Sequence, residues 1–420
     1  MLPYYLVLRG WIRLGTGEWT VRSLSVICSV ATLPIFHRLA TRLFGARSAV
    51  LALLLLALNP YHIRFAQEAR GYSLMLLFVT ASTLFLVRGV ESESPRRASV
   101  WVSYVVTSAL AAYAHFYATL AIASQWASLA IARPRDVPWR RVAMSVIAIG
   151  VLLLPIALFV LLGHADPATW IPSPTWKRVE YLVYSLLGGD NTHDARMIAW
   201  PVYAVVLIAA AASAVGTWRT HGREYVAWHY TLVVSCAALP ILLVLAVSIV
   251  KPIFVDKYLV ECLPFVVLLV AVGVERVRPR ALSLGALLVL LAISAHALTA
   301  YYRSSDKDDW RAATRYILDS AKEGDAALFF PGAGVDPFKY YLARRDSSAH
   351  NVRVIYPGEF GEGDVGAAIS GVQHRYDRLW AVFNQDGDAG AAVRDSLSRR
   401  YRVESDRQFT GVRVVLYDTR

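Results

Sequence analysis

About ten apolar runs, most of them near the ~20 residues that cross a hydrocarbon core, lie between residues 21 and 299 of this chain, and arginine returns in every second loop between them. Inside lipid no water satisfies a free peptide group, so runs of that length fold as helices. The hydrophobic fraction of 56% and the mean hydropathy of +0.43 exclude an ordinary soluble domain. The net charge of +12 resides largely in short loops between apolar runs, where it sets topology, and nucleic acid is set aside as a partner. Cys28, Cys236 and Cys262 all fall within apolar runs and offer neither zinc spacing nor a disulfide framework.

The spans read as 21–37, 48–60, 72–88, 99–114, 116–132, 142–162, 197–217, 229–250, 258–274 and 281–299. Arg38, Arg42 and Arg47, then Arg88, Arg96 and Arg97, then Arg133, Arg135, Arg140 and Arg141, then Arg219 and Arg223, and last Arg276, Arg278 and Arg280 mark one set of loops as cytoplasmic. The opposite loops balance Asp166, Asp190, Asp194 and Asp256 against Lys177, Arg178, Lys251 and Lys257. These loops, both termini and the tail then face outward. Residues 1–16 are too short and too charged to span, and Arg9 and Arg13 among Leu, Tyr and Trp read as a helix lying in the interface. The expected fold class is an all-α polytopic membrane domain over 1–302, followed by a small extracytoplasmic α/β domain over 303–420, in the plasma (inner) membrane of a bacterium. In the tail, strand-like runs at 326–330, 352–357, 378–383 and 412–418 alternate with helical stretches near 309–323, 336–343, 364–374 and 388–400. Gly332 and Gly334 read as an ordinary turn rather than a nucleotide loop.

The densest polar cluster is the first outward loop, Asn59-Pro60-Tyr61-His62-Ile63-Arg64-Phe65-Ala66-Gln67-Glu68-Ala69-Arg70-Gly71-Tyr72. Charges at the mouth of membrane helices are expensive unless paired or hydrated. Arg64 and Arg70 can clamp a phosphate through forked donors, and Glu68 can take a proton or bind a metal. A plain i, i+4 ion pair between Arg64 and Glu68 explains the spacing equally well. His115, in the turn Tyr113–Tyr117, reads as a base, a ligand or an interfacial anchor. Trp170, in a proline-stiffened outward loop, suits sugar or lipid contact and an interfacial belt alike. Lys257 and Tyr258 open a span at the outer edge, where a lysine meets a lipid phosphate or simply snorkels.

These residues together resemble the membrane glycosyltransferases that use polyprenyl-phosphate sugars: the protein O-mannosyltransferase and aminoarabinose-transferase group with the C-type fold. The resemblance covers most of the chain. It rests on Tyr4-Tyr5, Gly17-Glu18-Trp19 with Arg22, Leu24 and Ser25, Asn59-Pro60, the fairly specific Gln67-Glu68-Ala69-Arg70-Gly71-Tyr72, the Tyr113–Tyr117 turn, Trp170-Ile171 and Asp309-Trp310-Arg311. It implies inverting transfer of a sugar from a polyprenyl-phosphate donor to a glycan, lipid or protein acceptor, in an outward cavity at the membrane edge. An acidic side chain takes the acceptor's proton, and cations meet the departing phosphate. Within that frame Glu68 and His115 are the expected catalytic groups, and Arg64, Arg70, Tyr72, Lys257, Tyr258 and Trp170 the expected substrate contacts. No cofactor is read from the residues themselves; a divalent metal is the one the resemblance allows.

Members of the group usually begin with another span and an acidic outward loop, and this chain opens inside the segment that follows them. The expectation is therefore an N-terminally truncated sequence, with a degenerate copy as the alternative; Arg9 and Arg13 standing on the outward side favour the first. Two rival classes stay open: a lipid flippase or solute carrier, which would bury ionisable residues mid-span, and a non-catalytic membrane assembly protein. Membrane lipids are partners under every reading.

Overall fold

A computed structural model describes residues 1–91, 97–162, 171–189, 193–303, 308–330, 332–344, 352–355, 376–384 and 388–420. The chain divides into two compact units, Met1–Ala300 and Tyr301–Arg420.

The first unit is helical. Its elements are α1 (Leu2–Trp11), α2 (Glu18–Ala57), α3 (Pro60–Ala66), α4 (Tyr72–Glu91), α5 (Arg97–Ala114), α6 (Ala118–Ala132), α7 (Trp139–Leu162), α8 (Trp176–Leu186), α9 (His193–His221), α10 (Tyr225–Ser248), α11 (Leu263–Arg276) and α12 (Arg280–Arg303). A 3-10 turn, Asp256–Cys262, runs directly into α11. Seven described helical stretches are long and apolar enough to cross a membrane, and Ala98–Ala114 and Ala118–Ala132 are apolar but shorter.

The expected separate spans at 21–37 and 48–60 are the two limbs of one 40-residue element, α2. They meet at Gly45, whose φ of 84° and ψ of 173° break the helical ladder in a conformation that side-chain-bearing residues avoid. Residues 1–16, expected along the interface, do leave Arg9 and Arg13 exposed, but α1 is anchored by Tyr4, which is fully buried.

Burial follows composition. In α4, 72% of the apolar window is buried inside the protein, and in the stretch Asp256–Arg276, 78%; α7, α9 and α12 bury only 17–22%. The peripheral helices expose mostly apolar residues, whereas α4 carries Ser73, Thr80, Ser82 and Thr83 toward its neighbours. Gln125 of α6 donates to Ser82 (3.1 Å) and Thr83 (2.9 Å) and accepts from Tyr104 of α5 (3.0 Å). Three central helices are thereby joined by hydrogen bonds that no water can replace.

The second unit holds a five-stranded sheet of order β2-β1-β3-β5-β4, with β1 (Ala326–Phe330), β2 (Arg353–Ile355), β3 (Arg378–Asn384), β4 (Arg402–Phe409) and β5 (Val412–Asp418). β1 is parallel to β2 and β3, and β5 is antiparallel to β3 and β4. Strand alternation sends Ala327 and Phe329 to one face, against α13 (Trp310–Ser320) and α14 (Val335–Leu342). It sends Ala326 and Leu328 to the other, against α15 (Asp388–Arg400). β4 was not among the expected strands. It is an edge strand with mostly exposed residues, RVESDRQF, so it lacks the apolar alternation that betrays a half-buried strand. Gly332–Gly334 is a 3-10 turn, as expected, and the expected helix at 364–374 lies outside the described residues.

Helices α9 and α11 touch backbone to side at Gly273, where an added Cβ would stand 2.1 Å from the Val206 carbonyl oxygen. Gly273→Ala should therefore lower stability by about 1–3 kcal/mol through overpacking. Gly150→Ala, with nothing within 4 Å of the new methyl, should be neutral or slightly stabilising. Thermal unfolding in detergent followed by helical circular dichroism compares the two.

Candidate active site

Between α2 and α4 the chain makes the short helix α3, and its start is set by sequence. Asn59 accepts from the backbone N–H groups of Tyr61 (2.9 Å) and His62 (3.1 Å), with Pro60 at the first helical position. Its amide also donates to the Leu186 carbonyl at 3.2 Å, pinning α3 to the end of α8. His62 is buried and meets Ser29 of α2 at 2.8 Å. Ser73 of α4 donates to the Phe65 carbonyl at 3.0 Å, closing the other side.

The loop carrying Glu68 and Arg70 is held from beneath by Ser25. Its hydroxyl donates to the Glu68 carbonyl at 2.5 Å, so the 2.8 Å contact with Tyr4 has the tyrosine as donor. Gly71 then passes close to the α5 terminus: a Cβ there would lie 2.7 Å from the Ala114 carbonyl oxygen. The side chains of this loop are set by the path of the backbone, and the backbone is set by α1, α2 and α5.

The expected charged residues fall within electrostatic range of one another: Lys257 on the 3-10 turn feels the charges of Arg70, Glu68, Asp256 and Arg64. Arg70 interacts with Tyr72, Glu68 and Tyr258. Arg64 donates to the Tyr181 hydroxyl of α8 at 3.1 Å. Three cations therefore stand around two carboxylates, Glu68 and Asp256, at one end of the helical unit.

An aromatic floor lies beside them. His115 packs on Tyr258 (centroids 4.6 Å apart) and Tyr72 (5.6 Å), while Tyr117 packs on Tyr258 (5.1 Å). The Tyr117 hydroxyl donates to the Ile253 carbonyl, tying the turn between α5 and α6 to the segment before the 3-10 turn. His115 Nδ1 accepts from the Tyr117 backbone N–H at 3.3 Å, so the neutral ring carries its proton on Nε2. Burial, with the nearby positive charges of the Met1 amine and Lys257, pushes the His115 pKa down to about 4. Burial likewise takes His62 down to about 4. At neutral pH both rings are uncharged, so His115 can donate a hydrogen bond or accept a proton but adds no positive charge.

Of the expected site residues, Glu68, His115, Arg64, Arg70, Tyr72, Lys257 and Tyr258 thus fall in one neighbourhood; Trp170 lies outside the described residues. Among the described residues no group of three or more His, Cys, Asp or Glu side chains is placed to hold a metal, so no residue is assigned as a ligand.

One residue of this neighbourhood escaped sequence reasoning. Glu261 is fully buried, and neither carboxyl oxygen has a hydrogen-bond partner among the described residues. It lies within electrostatic range of Tyr61 and Tyr117. The signal was present as a lone acid inside an apolar run, one 3-10 turn beyond Tyr258.

Residues 2–162 match the family described as dolichyl-phosphate-mannose-protein mannosyltransferase. Two solved structures are similar: ArnT from Cupriavidus metallidurans in the apo state, and the same protein bound to undecaprenyl phosphate. Each is 15% identical with a TM-score of 0.59, and the alignment covers 98% of this chain and 86% or 87% of that one. No curated protein matches. The likeness extends across both units and establishes the architecture.

The two histidines make a measurable contribution. A histidine held neutral by burial stabilises the fold fully above its ordinary pKa of 6.5, and that stability is lost as pH falls toward 4. The melting temperature in detergent should therefore decline between about pH 6.5 and 4. The His62→Gln, His115→Gln double variant should show a shallower decline; an unchanged slope would remove both rings from the account.

Proposed function

We propose, for a multi-pass inner-membrane protein with the C-type glycosyltransferase architecture, related to the protein O-mannosyltransferase and ArnT group, that the chain transfers a sugar from a polyprenyl-phosphate donor to an acceptor outside the cytoplasm, with inversion. The observation that carries this reading is the gathering of Arg64, Arg70 and Lys257 around Glu68 beside a wall of Tyr72, His115 and Tyr258. The match to residues 2–162 and the fold shared with an undecaprenyl-phosphate-bound protein support it.

The chemistry follows from the charges. An acceptor hydroxyl attacks the anomeric carbon as the bond to the phosphate oxygen breaks and its electron pair leaves with the lipid phosphate. Negative charge grows on that phosphate, where Arg64, Arg70 and Lys257 are already oriented and need little reorganisation. The acceptor's proton passes to the Glu68 carboxylate, the acid nearest those cations on the same loop. Tyr72, Tyr258 and neutral His115 supply a flat wall for the sugar ring, and Trp170 a further contact. Residues 1–302 serve as the catalytic membrane domain and 303–420 as an extracytoplasmic α/β domain. Counting the two limbs of α2 and the two shorter apolar helices gives about ten crossings.

Glu261 bears on the rival carrier reading, which calls for an ionisable group inside a span. It stands at the site end of its run, three residues from Tyr258, where a residue supporting the sugar site belongs.

Membrane vesicles supplied with radiolabelled polyprenyl-phosphate hexoses and pentoses test the proposal. Wild-type protein should label an acceptor, and Glu68→Gln should lower the transfer rate by about 10²–10⁴-fold while leaving donor binding in place. Arg70→Ala and Lys257→Ala should weaken both binding and rate. Normal transfer by Glu68→Gln would remove the carboxylate from its role, and translocation of labelled lipid without transfer would favour a carrier.

A further inference from the structure

At the opposite end of the helical unit, α5 and α7 enclose a groove of about 540 Å³ lined by Trp101, Val102, Val106, Met144 and Ala148, with Arg140 and Arg141 closing one end. Val102, Val106 and Met144 are 45–62% exposed, so the walls are open to the bilayer, while Trp101 is buried and forms the floor. Both arginines lie in the first turn of α7, exposed, and neither guanidinium makes a hydrogen bond or ion pair with a described residue. The positive end of the α7 dipole points to the same place. These arginines belong to the arginine-rich loops, which the positive-inside rule assigns to the cytoplasm.

The dimensions suit one kind of occupant. From Arg140 to Ala148 is eight residues of helix, or about 12 Å along the axis. Half of a ~30 Å hydrocarbon core is about 15 Å. The groove thus runs from headgroup level through most of one leaflet, apolar along its length and doubly cationic only at its mouth.

We propose that this groove binds an anionic glycerophospholipid of the cytoplasmic leaflet, its phosphate between Arg140 and Arg141 and one acyl chain along Val102, Val106 and Ala148. Paired cations at the cytoplasmic edge of a cleft between membrane helices attract anionic headgroups in preference to zwitterionic ones. A second groove, about 600 Å³ between α6, α9 and α10, provides an internal comparison. It is lined by Val215, Trp218, Val234 and Leu242 but carries a single arginine, Arg219, so its headgroup preference is weaker. The proposal rests on the membrane orientation of the chain and is independent of the sugar-transfer reading.

The test uses the full chain in nanodiscs of mixed phosphatidylglycerol and phosphatidylcholine, released for native mass spectrometry. Wild-type protein should retain phosphatidylglycerol at least about tenfold over phosphatidylcholine after mild delipidation, the discrimination of a built site over bulk attraction. The Arg140→Ala, Arg141→Ala double variant should fall to parity between the lipids, the Lys, Lys double variant should keep most of the preference, and Arg219→Ala should change it little. Ala148→Trp, which fills the groove without altering charge, should lose the bound lipid of either kind. Equal retention of both lipids by wild type, or an unchanged preference in the Ala, Ala variant, would overturn the proposal. Displacement of phosphatidylglycerol by equimolar polyprenyl phosphate would overturn it too, by making the groove a second seat for an isoprenoid chain. Circular-dichroism melting of each variant separates loss of lipid from loss of fold.

Discussion

The Ser25 hydroxyl is the contact on which the charged end of the helical unit depends. Its donation to the Glu68 carbonyl fixes a stretch of irregular backbone exactly where two membrane helices are joined, and Tyr4 completes the hydroxyl's own bonding. Irregular backbone at membrane depth survives only where protein groups satisfy it. Asn59 does the same for α3 with three bonds from one side chain. Once these polar anchors are made, the backbone that carries Arg64, Glu68 and Arg70 has little freedom left, and its path is determined by neutral side chains. The first helix belongs to this arrangement: Tyr4 buries itself against α2 to hold a loop more than sixty residues away in sequence.

Much of this was legible in the sequence, for a physical reason. Apolar length and arginine placement are bulk requirements of the bilayer, and they survive without knowledge of packing. Asn59-Pro60 announces a capped helix start because the side-chain acceptor and the missing N–H act locally. What depends on tertiary contact was not legible. β4 is polar because it lies at a sheet edge, so its strand state comes from pairing with β5 rather than from its own pattern. Glu261 hid inside an apolar run where a single acid barely alters the average. The clustering of Lys257 with Arg70, nearly two hundred residues earlier, rests on the outward assignment of two separate loops. Topology could place both at one face of the membrane; only the fold could bring them within electrostatic reach.

The balance of charge in that cluster bears on how the proposed site would hold an anion. Three cations beside each other repel, and in a half-buried setting the repulsion is weakly screened. Glu68 and Asp256 offset part of it, which keeps Lys257 and the arginines in place while leaving a net positive field. In the proposed transfer a lipid phosphate would supply the missing negative charge, and a proton arriving at Glu68 would remove one of the offsets as charge grows on the departing phosphate. Neutral His115 is important here by what it withholds: a fourth cation would deepen binding of the phosphate equally before and after bond cleavage, and uniform tightening of that kind slows release without speeding the chemical step. Burying the ring among Tyr72, Tyr117 and Tyr258 keeps it uncharged, so the positive field stays confined to Arg64, Arg70 and Lys257.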